Sequence, residues 1–263
     1  MQIQFYNMIY TLVFIVFVIF VCYAFYIMKR KHVEEMPKHW HDILVKKVLF
    51  YKNLTPENQA VFRKRIMLFL SEIHIEGVHT EIEELDKILI ASSGVIPVFG
   101  FSNWSYNNLT GIIVYPDSFN ADLQFSNQDE NKQILGMVGT GRFEKQMILS
   151  KKAIRLAFNN KTDKYNTPVH EFVHLLDKTD GQTDGIPAFF LGKEYIAPWL
   201  ELMHKEMEAI NNDASDIRKY GGTSEIEFFA VASEYFFERP KLFKQKHPEL
   251  YAMLSVCFQQ PKK

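Results

Sequence analysis

Thr167 to Asp177 reads TPVHEFVHLLD, and no other stretch of the chain restricts its structure so tightly. Thr167 suits an N-cap and Pro168 the first helical position, so the segment reads as the opening of a helix. On a helix, residues four apart share a face, which turns the imidazoles of His170 and His174 the same way. Two neutral imidazoles held like this form half of a zinc site. Glu171 is rotated around the helix from its neighbour. It can reach a water on the metal without being a ligand, as a general base must. The bland alternative is a solvated histidine pair on a surface helix. Phe172, Val173, Leu175 and Leu176 argue against that, because they make the helix half-buried.

Two histidines do not complete a catalytic site, which takes three protein ligands and leaves a position for water. None of the other seven histidines sits in a metal-site pattern. Glu227 to Phe237 reads EFFAVASEYFF, a helix apolar nearly all round and therefore buried. Glu227 and Glu234 interrupt it at i and i+7, on one face. A buried carboxylate needs a cation or a donor network. Either residue can serve as the third ligand, and periodicity does not choose between them. Asp177 follows His174 by three on the same face. It can accept from His174, or it can simply end the helix before Lys178.

The other strong constraint lies at the N-terminus. Ile9 to Met28 is twenty residues without charge, Pro or Gly. At 1.5 Å per residue the run spans roughly 30 Å, the thickness of a bilayer's hydrocarbon core. No positive n-region precedes it and no small-residue cleavage site ends it, so it reads as a transmembrane anchor and not as a signal peptide. Lys29, Arg30 and Lys31 follow directly. The positive-inside rule then places the N-terminus outside and residues 29–263 in the cytoplasm. In that orientation the N-x-S/T triplets at Asn53, Asn103 and Asn108 carry no glycan. Lys+Arg number 30 against 31 Asp+Glu, so there is no electrostatic basis for binding nucleic acid. Two cysteines exclude a disulfide framework and a Cys-rich zinc ribbon.

No linker-like stretch divides the remainder, which is expected to be one domain over 32–263 after an anchor and basic flank over 1–31. Thr55-Pro56 opens a helix with apolar Phe62, Ile66, Phe69, Leu70 and Ile73. Thr80 to Ile88 reads as a short helix. Strands are expected at 95–99, 111–115, 134–138 and 146–149, and helices near 167–177, 194–212, 224–238 and 247–258. Helices, then strands, then helices suggest an α+β fold, with helices flanking a small mixed sheet.

HEFVHLLD followed roughly fifty residues later by EFFAVASEYFFERP resembles the Mlc titration factor A family of bacterial zinc peptidases. The likeness runs from about residue 40 to the C-terminus. Tyr115-Pro116, Asn166, Gly185-Ile186-Pro187, Trp199 and Tyr220 match further pieces. The resemblance implies a zincin-like fold and aminopeptidase-type hydrolysis of peptides by a zinc-activated water. It implies His170 and His174 as the histidine ligands, Glu227 as the third, and Glu171 as the catalytic acid/base. Glu234 is then left to accept from the free nitrogen of a ligand histidine. Tyr220 matches a tyrosine near the zinc. As a neutral donor at pH 7 it can stabilise the oxyanion, unless it is only a turn residue beside Gly221-Gly222. The family's founding member is soluble and also binds a sugar-regulated transcription repressor. This chain departs from it by its apolar N-terminal run, and no residue pattern here speaks for the repressor contact.

The expected function is therefore a membrane-anchored zinc metallopeptidase acting on peptides. The alternative is a regulatory protein-binding module on a weakly active peptidase scaffold, with a regulatory protein as partner. A purely structural zinc site is disfavoured by Glu171 and by the lack of a fourth His or Cys ligand.

Overall fold

Among the described residues, four short strands form one mixed sheet, and its pleat divides their side chains between two faces. The strands are β1 (His74–Gly77), β2 (Gly111–Tyr115), β3 (Gly136–Val138) and β4 (Gln146–Ser150), in the order β1-β2-β4-β3. β1, β2 and β4 run parallel, and β3 pairs antiparallel with β4 at the edge. Successive residues of a strand point to opposite faces. Ile112, Val114, Met147 and Leu149 accordingly enter the main hydrophobic core, while Ile113, Tyr115 and Ile148 join a smaller cluster with Val78, Ile134 and Met137. The structure is a computed structural model that describes residues 12–21, 23, 33–118, 134–139, 144–159 and 162–259.

The chain divides into two compact units, Met1–Glu34 and Glu35–Lys263. In the first, residues 12–21 and 23 are helical, with Leu12, Phe14, Phe17 and Phe20 outward-facing. Among the described residues, no helix is long and apolar enough to cross a membrane. Residues 9–11, 22 and 24–28 of the expected span, and the basic flank at 29–31, lie outside the described residues.

The second unit opens with α1 (Lys38–Lys47), α2 (Leu49–Lys52) and α3 (Pro56–Glu72). Thr55 caps α3 as expected, its hydroxyl accepting from the Asn58 amide at 3.3 Å. Between β1 and β2 the chain needs a crossover, because parallel neighbours cannot be joined by a tight turn. That crossover is α4 (Glu84–Val95). It starts later and runs longer than the helix expected at 80–88, because Glu83 and Asp86 form a capping box at its start. The strand expected at 95–99 is absent: Val95 ends α4 and the following residues turn. A short buried apolar run is not resolved into strand or helix by periodicity. After β4 come α5 (Lys151–Ala157), α6 (Thr167–Asp177), α7 (Lys193–Asn211), α8 (Glu225–Glu238), α9 (Pro240–Lys246) and α10 (Pro248–Cys257). The architecture is α+β, a small mixed sheet among many helices.

α6 is the element around which the others are placed, packed against α8, α4, α5 and β3. Its Phe172 meets Phe69 of α3 at 5.7 Å and Tyr106 at 5.3 Å, centroid to centroid. Gly94 of α4 lies under the same rings. A Cβ there would sit 2.7 Å from Phe69 Cε2 and 3.0 Å from Phe172 Cζ, closer than packed carbons come. Gly94→Ala should therefore destabilise the fold by about 1–3 kcal/mol through overpacking, despite alanine's better helix propensity. Urea unfolding of the purified variant measures this, and an unchanged or raised midpoint would contradict the packing described.

Candidate metal centre

The helix that carries the two histidines is fastened at its N-terminus before it reaches them. Its N-cap is Asn166 and not the expected Thr167. The Asn166 side-chain oxygen Oδ1 accepts from the Val169 amide at 3.1 Å, and Thr167 and Pro168 occupy the first turn. Asn166 also ties α6 to α8. Its backbone N–H donates to Glu234 Oε2 and its side-chain amide donates to Glu238 Oε1, both at 2.7 Å. Glu227, Glu234 and Glu238 thus line one face of α8. α8 itself starts at Ser224, whose hydroxyl accepts from the Glu227 amide at 3.2 Å.

Three donors converge between the two helices. His170 Nε2 and His174 Nε2 are 3.0 Å apart. Glu227 Oε2 is 3.0 Å from the first and 3.7 Å from the second. Donors on a tetrahedral zinc with bonds of about 2.0–2.1 Å stand roughly 3.3 Å apart, so the triangle has the right size. Glu227 Oε2 is also buried without a well-aligned hydrogen bond among the described residues. A buried oxygen left in that state is expected where a cation binds. The charge balance agrees. Burial disfavours a charged His170, yet Glu227 on one ring nitrogen and Glu234 on the other outweigh it and raise its pKa to about 10. Burial and the facing His170 push His174 the other way, to about 4, so its ring stays neutral and free to ligate. The residues fit a divalent metal ion.

Glu234 takes the place expected of the carboxylate that is not a ligand. It is fully buried, and its Oε1 pairs with His170 Nδ1 at 2.7 Å. Such a contact fixes a ligand histidine's tautomer and ring orientation. Arg218 donates to the same oxygen. Arg218 and Glu238 are the site residues that the sequence did not single out. Glu238 falls at the end of EFFAVASEYFFERP without a role assigned to it, while Arg218 lies in no motif and only the folded loop brings it to α8.

Glu171 is not part of the ligand triangle and lies against β3. The Val138 amide donates to it, and burial pushes its carboxyl up to about 7 against the pull of His170. Gly136 leaves the room it occupies: a Cβ there would lie 2.8 Å from Glu171 Cγ. Tyr220 sits in the turn Lys219–Gly222, half exposed, its ring stacked on His170 with centroids 6.1 Å apart. Partial burial and the nearby Glu227 charge push its pKa up to about 12, so it stays a neutral donor. All five expected residues, His170, Glu171, His174, Tyr220 and Glu227, are brought together.

Asp177 does not orient His174, whose Nδ1 has no hydrogen-bond partner among the described residues. Asp177 Oδ2 instead accepts from the Gly185 amide at 2.9 Å. Gly185 has φ 76°, and a Cβ there would collide with the Glu225 carbonyl, so only glycine fits. Trp199 Nε1 donates to the Gly185 carbonyl at 2.9 Å. Asp177 therefore holds the loop after α6 against the start of α8. Burial, with Asp184 and Asp180 nearby, raises its pKa to about 7 despite the Gly185 hydrogen bond. An unfolded Asp titrates near 3.9. The folded state prefers the neutral acid, so Asp177's contribution to stability is present below about pH 4 and is lost progressively up to about pH 7. Asp177→Asn keeps an acceptor for Gly185 and cannot ionise. Its stability relative to the wild-type chain should rise between pH 4 and pH 8 in denaturant unfolding. A difference that stays flat over that range would mean Asp177 is ionised throughout.

Known proteins resemble this chain over most of its length. An uncharacterised protein of Synechocystis sp. is 29% identical over 230 residues, covering 83% of this chain and 82% of its own. Mlc titration factor A of Salmonella arizonae is 27% identical over 240 residues, covering 84% of this chain and 90% of its own. Mlc titration factor A of Escherichia fergusonii is 29% identical over 229 residues, covering 81% and 82%. The model of the glucose-regulated metallopeptidase M90 family matches residues 26–259, and this chain belongs to that family.

Proposed function

We propose that this chain is a zinc-dependent peptidase of aminopeptidase type, held at a membrane by its N-terminal run with the second unit on the cytoplasmic side. The observation that carries the peptidase reading is the convergence of His170 Nε2, His174 Nε2 and Glu227 Oε2 beside a carboxylate, Glu171, that is not part of the triangle. Two imidazoles and one carboxylate suit zinc better than the all-oxygen sets of magnesium or calcium. When bound, zinc supplies Lewis acidity, polarising a peptide carbonyl and lowering the pKa of water.

The remaining work belongs to the chain. Glu171 accepts the proton of the attacking water and returns it to the leaving amine, a role that suits a carboxyl pushed up to about 7. Tyr220, across the site, donates its phenol proton toward the developing oxyanion. Glu234 keeps His170 in one tautomer. β3 is the edge of the sheet, and its Val138 amide faces Glu171. An extended peptide adding to that edge would bring its scissile bond alongside the carboxylate.

Glu171→Gln is nearly isosteric and removes only the base. The variant should keep zinc at the wild-type stoichiometry while hydrolysis falls by about 10²–10⁴-fold. Metal analysis with aminoacyl and N-blocked peptide substrates checks both halves of the reading. Full turnover in the variant would remove Glu171 from the mechanism, and cleavage of N-blocked peptides alone would remove the aminopeptidase type. The names of the relatives support a second reading, in which the chain binds a regulatory protein such as Mlc. The same variant separates the two, since a binding module does not need the base.

The membrane reading rests on the uncharged run from Ile9 to Met28 and on Lys29, Arg30 and Lys31 after it. Protease added outside intact cells should leave the second unit whole. Digestion from outside would reverse the topology, and recovery of the chain in the soluble fraction would remove the anchor.

A further inference from the structure

The turn that carries Tyr220 has little secondary structure to hold it, yet the residues leading into it are fixed by their side chains. Asp216, three residues before it, accepts from Lys164 Nζ, the Tyr235 hydroxyl and His247 Nε2, each at 2.8 Å. Two residues on, Arg218 reaches into the metal centre. Its Nη2 donates to Glu234 Oε1, the same oxygen that pairs with His170 Nδ1. Its guanidinium lies 4.9 Å from the Tyr165 ring centre and 5.6 Å from that of Tyr220. The Tyr220 ring in turn stacks on His170. The four side chains therefore form a closed circuit, from Arg218 to Glu234 to His170 to Tyr220 and back to Arg218.

We infer that Arg218 is a positioning residue that couples the ligand His170 to Tyr220, holding the ring of one and the phenol of the other in a single arrangement. The inference rests on the metallopeptidase reading above and deepens it. Two donors on one carboxylate oxygen leave Glu234 a single orientation, with Oε2 already taken by the Asn166 amide. Among the described residues, Arg218 is the one arginine or lysine ion-paired to a carboxylate of the centre. Its guanidinium over the Tyr220 ring restricts a half-exposed side chain that its own short turn does not. Lysine could supply the charge but not the planar contact, so the two halves of the role are separable.

The test uses the full chain with zinc alone and then with a peptide substrate. Arg218→Ala should weaken zinc, measured by competition with a chelator, by about 10–100-fold. Its kcat should fall at least about tenfold with KM within about threefold, the pattern of a lost transition-state contact. Adding Tyr220→Phe to Arg218→Ala should cost little more, because coupled residues are not additive. Arg218→Lys should restore zinc affinity to within about threefold while its kcat stays low. If Arg218→Ala fails to fold, the lysine variant decides alone. Lysine restoring both zinc affinity and kcat would overturn the coupling, as would undiminished zinc affinity in Arg218→Ala with fully additive losses. A wild-type chain that binds no zinc would instead overturn the metallopeptidase reading, and this inference with it.

Discussion

A fully buried carboxylate, Glu234, joins the two helices on which the centre is built, and the rest of the site follows from how its charge is compensated. Burying a carboxylate is costly unless donors surround it. Here they come from three places: the Asn166 backbone at the start of α6, the His170 ring one turn later, and Arg218 from the loop before α8. Removing any one leaves a buried charge short of a partner. The crossing of α6 over α8 is thus set by polar contacts as well as by apolar packing, and the crossing puts Glu227 opposite both histidines.

The centre gathers acidic groups at one spot, and they differ in what burial does to each. Glu227 is held below the usual carboxylate range, because His170 and His174 face it and outweigh its burial. Glu171 and Glu238 are pushed up to about 7 because burial dominates. Among the described residues, Glu238 has only the Asn166 amide as donor, so its raised value is a structural consequence of its position. Glu171 faces the sheet edge, where the same rise suits proton transfer. Similar shifts serve different ends, and geometry relative to the ligand triangle separates them.

Much of the centre was legible before folding. His170, Glu171 and His174 are fixed by helical spacing, which needs no tertiary information. The caps and prolines that bound α3 and α6 are local, and both helices form where the sequence places them, with Asn166 in place of Thr167 as the cap. β1 was not legible, because its four residues His74–Gly77 alternate only weakly in burial and carry no turn signal. Val95–Phe99 was misread as a strand, because a buried helix end and a buried strand look alike over five residues. Of the two readings of Asp177, the one that ends the helix before Lys178 holds, and its carboxylate also accepts from Gly185, a loop amide that no periodicity reveals.

The sequence by itself determined that two imidazoles and a carboxylate share a helix, that a second helix buries two carboxylates on one face, and that an uncharged run precedes them. These are properties of spacing along one element, and spacing is written in the chain. It did not determine which of Glu227 and Glu234 meets the histidines, where Arg218 goes, or what Asp177 holds. Those depend on the crossing of α6 and α8 and on the path of the loop between α7 and α8. Contacts between residues some fifty or more apart depend on how separate elements pack, and only the tertiary structure brought Glu227 to His170 Nε2 and Glu234 to His170 Nδ1.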